Sequence, residues 1–234
     1  MTTKTIRTAV VLTGLLVAVS APSWAQRRAY ERDGAFRLHA GLFTPDGESE
    51  YWDDKAVDFT GDAQDLENVS IGGDYLHSLG PRLSLLFSGN YFQGDTTQSY
   101  VDFVDNFGDR IRHDTTLEIA SLTAGLVLHL TEPGAAIRPY IGVAGGLYSW
   151  SVVEEGDFID EDNLEIFSAR LESDGNVLGY YGLAGLEVPI GRTVSLFGEG
   201  RWSQVEDELS GDLEGLGDID LSGRQLAVGI SWSL

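Results

Sequence analysis

Cysteine is absent from the 234 residues, so no disulfide stabilises any part of the chain. Basic residues are scarce: 15 Lys and Arg stand against 37 Asp and Glu, for a net charge of −22. A surface that grips phosphate backbones needs the opposite sign, which excludes nucleic-acid binding. Long apolar runs are missing too. The run at 9–19 falls short of the ~20 residues that a helix needs to cross a bilayer, and no later stretch approaches that length. Any insertion into a membrane must therefore use strands. Proline is rare, 6 residues against 29 glycines, a balance that favours tight β structure over disorder. Gly-rich phosphate loops, metal-spaced His pairs and cofactor motifs do not occur, and no cofactor is expected.

What is present begins with an export signal. Lys4 and Arg7 precede the apolar run, and Ala21-Pro22-Ser23-Trp24-Ala25 follows it. A positive start, a short apolar centre and a small-residue cleavage pattern predict a signal peptide over 1–25. Removing 25 of 234 residues leaves 209, a single-domain length, and takes the charge from −22 to −24. Residues 26–34 are expected to form a short periplasmic segment.

The stretch 225–234 alternates strictly. Leu226, Val228, Ile230, Trp232 and Leu234 share one side; Ala227, Gly229, Ser231 and Ser233 share the other. A period of two over that length is a strand with two unlike faces. The small face gives water almost nothing to bind, yet suits the crowded inside of a narrow closed sheet. The large face therefore reads as lipid-facing. Seven earlier stretches alternate in the same way: 35–43, 68–76, 83–91, 116–130, 137–150, 177–188 and 194–202, with Leu86 as an exception.

The connections alternate in length. Those at 45–67, 94–114, 151–176 and 205–222 run to roughly twenty residues, whereas the other three are short turns such as Thr131-Glu132-Pro133-Gly134. Short turns on one side of a slab and long loops on the other, joined by strands near the ~9–11 residues of a tilted crossing, are the rhythm of a transmembrane barrel. The predicted fold is all-β: an eight-stranded antiparallel up-and-down transmembrane barrel over 35–234, with four long acidic external loops.

Three segments carry a resemblance. They are Phe36-Arg37-Leu38-His39-Ala40-Gly41-Leu42-Phe43-Thr44-Pro45, Arg138-Pro139-Tyr140-Ile141-Gly142-Val143-Ala144-Gly145-Gly146, and Leu196-Phe197-Gly198-Glu199-Gly200-Arg201-Trp202. With the closing strand, they resemble the small eight-stranded Gram-negative outer-membrane barrels related to outer-membrane protein W and the transmembrane domain of outer-membrane protein A. The resemblance implies residence in the outer membrane among its lipid and lipopolysaccharide, and delivery by the barrel-assembly machinery through the C-terminal strand. That strand ends in Leu234, with Trp232 as its nearest aromatic, where the family most often ends in Phe. The family includes channels, adhesins and structural proteins, so the resemblance leaves the role open among these.

Inward parity predicts a lumenal polar network of Arg37, His39, Asp74, His129, Arg138, Glu187, Glu199 and Arg201. An eight-stranded lumen holds side chains and little else, so these charges must satisfy one another, with Arg37–Asp74 and Arg138–Glu187 as expected pairs. Aromatics at strand ends predict interfacial belts: Phe43, Tyr91, Tyr180 and Trp202 at the outer rim, Phe36, Tyr75 and Trp232 at the periplasmic rim. The four long connections hold 30 of the 37 acidic residues. Asp157, Asp160 and Asp162 are the candidates for a divalent cation, although their stretch lacks the spacing and Gly of an EF-hand loop; the competing reading is a solvated, repulsive surface. Of the four His, only His113 has an adjacent acid, Asp114, and no nucleophile accompanies the dipeptide. The expected function is a non-catalytic outer-membrane barrel with a structural or surface-interaction role. The alternatives are a narrow channel for small solutes, hydrophobic ones among them, and a secreted lipocalin-like binder with its apolar face turned inward.

Overall fold

The computed structural model describes residues 33–105, 107–160 and 165–234. The signal peptide expected at 1–25, most of the 26–34 segment and Asp162 lie outside the described residues. Eight long strands build the molecule: β1 (Gly34–Pro45), β2 (Asn68–Ser78), β3 (Leu83–Val104), β4 (Arg110–His129), β5 (Arg138–Ile159), β6 (Ile166–Pro189), β7 (Val194–Gln204) and β10 (Gly223–Ser233). Each pairs antiparallel with its neighbours, and β1 closes on β10, with Phe36 opposite Trp232 and Leu42 opposite Leu226. Closure leaves no unpaired edge within the ring itself.

The period of two divides the strand residues between two environments. Leu38, Ile71, Leu126, Val143, Leu178, Leu226 and Val228 are all exposed on the outer wall, and Leu122 keeps 73% of its surface. A belt of naked Leu, Ile and Val around a protein has one stabilising solvent, the hydrocarbon of a bilayer. Among the described residues no helix is long and apolar enough to cross a membrane. Leu226, Ile230 and Trp232 point outward while Glu199 and Arg201 are buried inside, which rules out the inverted, lipocalin-like arrangement.

The strands are unequal. Strands β1, β2, β7 and β10 have 11 or 12 residues, whereas β3 to β6 have 20 to 24. A tilted crossing takes ~9–11 residues, so half of each long strand stands beyond the membrane. Two of the four expected loops, 94–114 and 151–176, are thus mostly strand. Acid density suggested loops there, but these acids keep the alternation. Asp95, Asp114, Glu155, Asp157, Glu172 and Asp174 are exposed, while Gln98, His113, Thr115, Glu154 and Ser173 between them are buried. A four-stranded wall of β3 to β6 results, acidic outside and partly apolar inside.

The other two long connections fold back against that wall. The first holds helix α1 (Glu50–Asp58) and a 3-10 turn (Ala63–Leu66); the second holds a two-stranded ribbon of β8 (Glu206–Glu208) and β9 (Asp218–Asp220) around a 3-10 turn (Gly211–Leu213). Glu50 and Asp53 lie in the first turn of α1 and Lys55 near its end, as the helix dipole favours. Asp62 starts the 3-10 turn through a capping box with Asp65. Asp220 clasps the two connections together: its carboxylate accepts from Glu48 N–H at 2.8 Å and its carbonyl accepts from Trp52 Nε1 at 3.0 Å. Beneath them Tyr51, Trp52, Leu66, Leu209, Leu213 and Ile219 pack onto Phe92, Leu117, Ile119, Trp150 and Val152 of the wall. Burying each such side chain contributes about 1.5–3 kcal/mol, so the outer mouth carries a lid with a core of its own.

Candidate functional site

The lumen has three layers. At the periplasmic end Leu76, Leu86, Val127, Tyr140, Tyr181 and Leu183 form an apolar cluster. Leu86 thus faces inward, which accounts for its break from the alternation of outward residues on β3. Among and above these residues lies the charged network. Arg37 Nη2 meets Glu187 Oε2 at 2.9 Å and Arg37 Nη1 lies 3.8 Å from Glu199 Oε2. Arg201 contacts Glu199 at 2.5 Å through Nε and Asp74 at 3.1 Å through Nη2. Arg138 Nη1 lies 3.5 Å from Glu187, and His129 and His39 stand 3.7 Å and 3.5 Å from Glu187 and Asp74. Arg37, Asp74, Glu187, Glu199 and Arg201 are each 5% exposed or less, and Arg138 is half-buried at the periplasmic mouth.

Arg37, Arg138 and Arg201 balance Asp74, Glu187 and Glu199, three charges of each sign. Neutrality matters, because an unpaired charge taken out of water costs several kcal/mol. Rings finish the desolvated cage: the Arg37 guanidinium lies 4.8 Å from the Tyr140 ring centroid and 4.7 Å from that of Phe197. Tyr140 donates to Glu199 at 2.9 Å and Ser88 to Asp74 at 2.6 Å.

One expected pair differs. Arg37 and Asp74 are cross-strand neighbours in the β1–β2 register, as Arg138 and Glu187 are on β5–β6. Yet Arg37 reaches across the lumen to β6 and β7, leaving Asp74 to Arg201. In a barrel this narrow a long Arg side chain spans to the opposite wall, and the better geometry there decides.

Above the charges a cavity of about 40 Å³ is lined in part by Phe43, Asn90, Phe92, Tyr148, Arg201 and Gln225. That is room for about one water. Phe43 was expected at the outer rim, but it is only 8% exposed and packs edge-on against Phe92 at 4.7 Å inside the barrel. The reason is parity: Phe43 shares the face of Arg37, His39 and Gly41. The other aromatics lie on the wall. Phe36 and Trp232 are exposed at the periplasmic end, with Tyr75 half-buried 4.9 Å from Phe36, and Tyr91, Tyr180 and Trp202 are exposed towards the outer end.

A second polar cluster, which the sequence reading passed over, lies under the lid. Lys55 Nζ contacts Glu154 Oε1 at 2.7 Å, donates to Thr115 Oγ1 at 3.0 Å and sits 3.5 Å from His113 Nε2, while Tyr51 donates to Glu154. All five residues are buried. Burial pushes the Lys55 ammonium pKa down, against the pull of Glu154. Burial, then Lys55, push the His113 imidazole down to about 4, against Glu154 and Asp114. One sequence signal was available: Lys55 is the sole lysine after the leader. Within the connection 45–67 it is the one basic residue among nine acids. His113 and Asp114 do not form a catalytic couple, since His113 points inward and Asp114 points outward to Thr97 at 2.6 Å.

Of the cation candidates, Asp157 and Asp160 are among the described residues. Asp157 accepts from Ser168 at 2.6 Å on the outer face, and Asp160 is half-buried at the end of the hairpin. Among the described residues no group of three or more His, Asp or Glu is placed to hold a metal ion.

No protein-family model matches the sequence, and none of the curated proteins does. Solved structures do match. The outer-membrane protein OprG from Pseudomonas aeruginosa superposes over 88% of this chain and 98% of its own, at 12% identity and a TM-score of 0.53. This is the fold of an eight-stranded outer-membrane β-barrel. The outer-membrane protease OmpT from Escherichia coli (12% identity, 90% of this chain and 100% of that one, TM-score 0.49) and Neisserial surface protein A (10%, 86% and 96%, 0.47) are also similar. With its girdle of exposed aliphatic residues, the chain is built as an outer-membrane β-barrel, its short turns lying on the same side as the start of β1 and the end of β10.

Proposed function

We propose that this barrel is non-catalytic and closed, and that it serves the outer membrane as a structural element with a surface-interaction face. The carrying observation is the occupied lumen. Three arginines and three carboxylates cross-link its walls, and an apolar lid seals the outer mouth. The separate directions of His113 and Asp114 speak against hydrolysis. The tall acidic wall of β3 to β6 is the part offered to the exterior. Residence among lipid and lipopolysaccharide and delivery through the closing strand belong to the same reading.

Planar-bilayer recording of the refolded protein tests it. The expected result is no sustained conductance in the wild type. Sustained current that Arg201→Ala alters would identify a gated polar conduit instead. Surface interaction is tested separately by comparing the retention, on immobilised cationic protein, of cells that display the protein and cells that lack it.

A further inference from the structure

A wall taller than its barrel has two free sides. Above the membrane β3 has lost β2, whose pairing stops at Phe92, and β6 has lost β7, whose pairing stops at Tyr180. The chain treats the two edges differently. On β3, Thr60 N–H donates to Ser99 carbonyl at 2.8 Å, Ser99 N–H donates to Thr60 Oγ1 at 3.1 Å, and Phe59 bridges to Tyr100. On β6, the second long connection covers only the middle. Glu172 N–H donates to Asp212 Oδ2 at 3.2 Å, and Ser210 Oγ donates to the Asp174 carbonyl at 3.0 Å.

Those two bonds also show which backbone groups face the edge. In an antiparallel strand the N–H and C=O of alternate residues point to the same side. The β5–β6 register runs without a break from Ile159↔Ile166 through Glu154↔Leu171 to Arg138↔Glu187. Since Glu172 and Asp174 turn to the open side, the main-chain groups of Ile166, Ser168 and Arg170 do so too. Among the described residues nothing pairs with the outer edge of 166–171, which has neither Pro nor a bulge and carries one charged side chain, Arg170, already engaged by Glu155 and Glu172.

We propose that residues 166–171 of β6 accept an extended basic polypeptide segment as a ninth strand, a partner assignment that rests on the surface-interaction reading. Charge and side-chain parity select this occupant. On the outer face Glu155, Asp157, Glu172 and Asp174 surround Arg170, which already lies 3.6 Å from both Glu155 and Glu172. On the inner face Phe167, 47% exposed, and half-buried Leu171 continue the apolar lining. A strand alternating basic and apolar residues matches both faces, with backbone bonds for affinity and alternate side chains for selectivity. The stretch lies roughly 40 Å of strand above Tyr180, at ~3.3 Å per residue, clear of the headgroups.

The test uses the protein refolded in detergent micelles and a labelled acetyl-(Lys-Val)4-amide peptide, read by fluorescence anisotropy and amide hydrogen exchange. A control peptide of equal charge carries Pro in place of two Val. Strand addition predicts that the first peptide binds, that the control binds at least about tenfold more weakly, and that binding slows exchange at Ser168 and Arg170. Ser168→Pro removes an edge donor without touching a β5 bond and is expected to weaken binding about tenfold. Equal binding of both peptides, or binding that leaves exchange at Ser168 and Arg170 unchanged, overturns the proposal whether or not the Pro variant folds. Cell retention that persists with Ser168→Pro also overturns it while preserving a surface role; loss of retention in the wild type removes both.

Discussion

Arg201 touches Asp74, Glu199 and Ser88 at once and lies over the Tyr181 ring. Replacing it by Met keeps the bulk but takes from Asp74 and Glu199 the cation they share in a desolvated lumen. Breaking a buried ion pair by removing one partner costs about 3–5 kcal/mol. Arg201→Met is expected to lower stability by that amount in urea unfolding followed by gel mobility. Adding Asp74→Asn should recover part of the loss, because it removes one orphaned charge. Recovery marks charge balance, not the arginine itself, as what the layer needs.

The lid is the element on which pH acts. His113 is buried beneath it, between Lys55 and the rings of Phe59 and Phe158, at 4.4 Å and 5.3 Å from their centroids. Its pKa falls from 6.5 to about 4 in the folded state. Above pH 6.5 both folded and unfolded forms are neutral, and the contribution of this group to stability is complete. Between 6.5 and 4 the open form takes up a proton that the closed form refuses, so closure weakens as pH falls. Trp52 and Trp150 lie in the lid core and report on it. Their emission is expected to shift red across that window in the wild type, and the shift should flatten in His113→Phe, which keeps the ring packing without the titration. An unchanged profile in the variant would assign the acid response elsewhere.

At the scale of the whole molecule the decisive quantity is which solvent meets the wall. Leu126 is 43% exposed near the middle of the aliphatic belt, and Val101 is 48% exposed on the extramembrane wall. In water both positions would accept Arg at little cost. In a bilayer Leu126→Arg is expected to destabilise the barrel by about 2–4 kcal/mol, against about 0.5 kcal/mol for Val101→Arg, measured by unfolding from lipid vesicles. Two equal and small penalties would contradict the membrane assignment.

Alternation is a local property, written into each stretch by which residues repeat at every second position. The sequence alone therefore determined the eight strands, their order around the ring, the lipid-facing set of Leu226, Val228 and Ile230, and the inward face of Arg37, Glu187, Glu199 and Arg201. The same parity holds the inward position of Phe43, although its place near a strand end suits a rim aromatic equally. Other features depend on distances that no local pattern contains. That Arg37 crosses to Glu187, that Lys55 finds Glu154 ninety-nine positions away, and that Asp220 clasps α1 follow from how wide the lumen is and where chain segments return. The height of β3 to β6 above the membrane belongs to this second group as well. Acidic side chains suit a loop and the wet face of a sheet equally, and only pairing across strands separates the two.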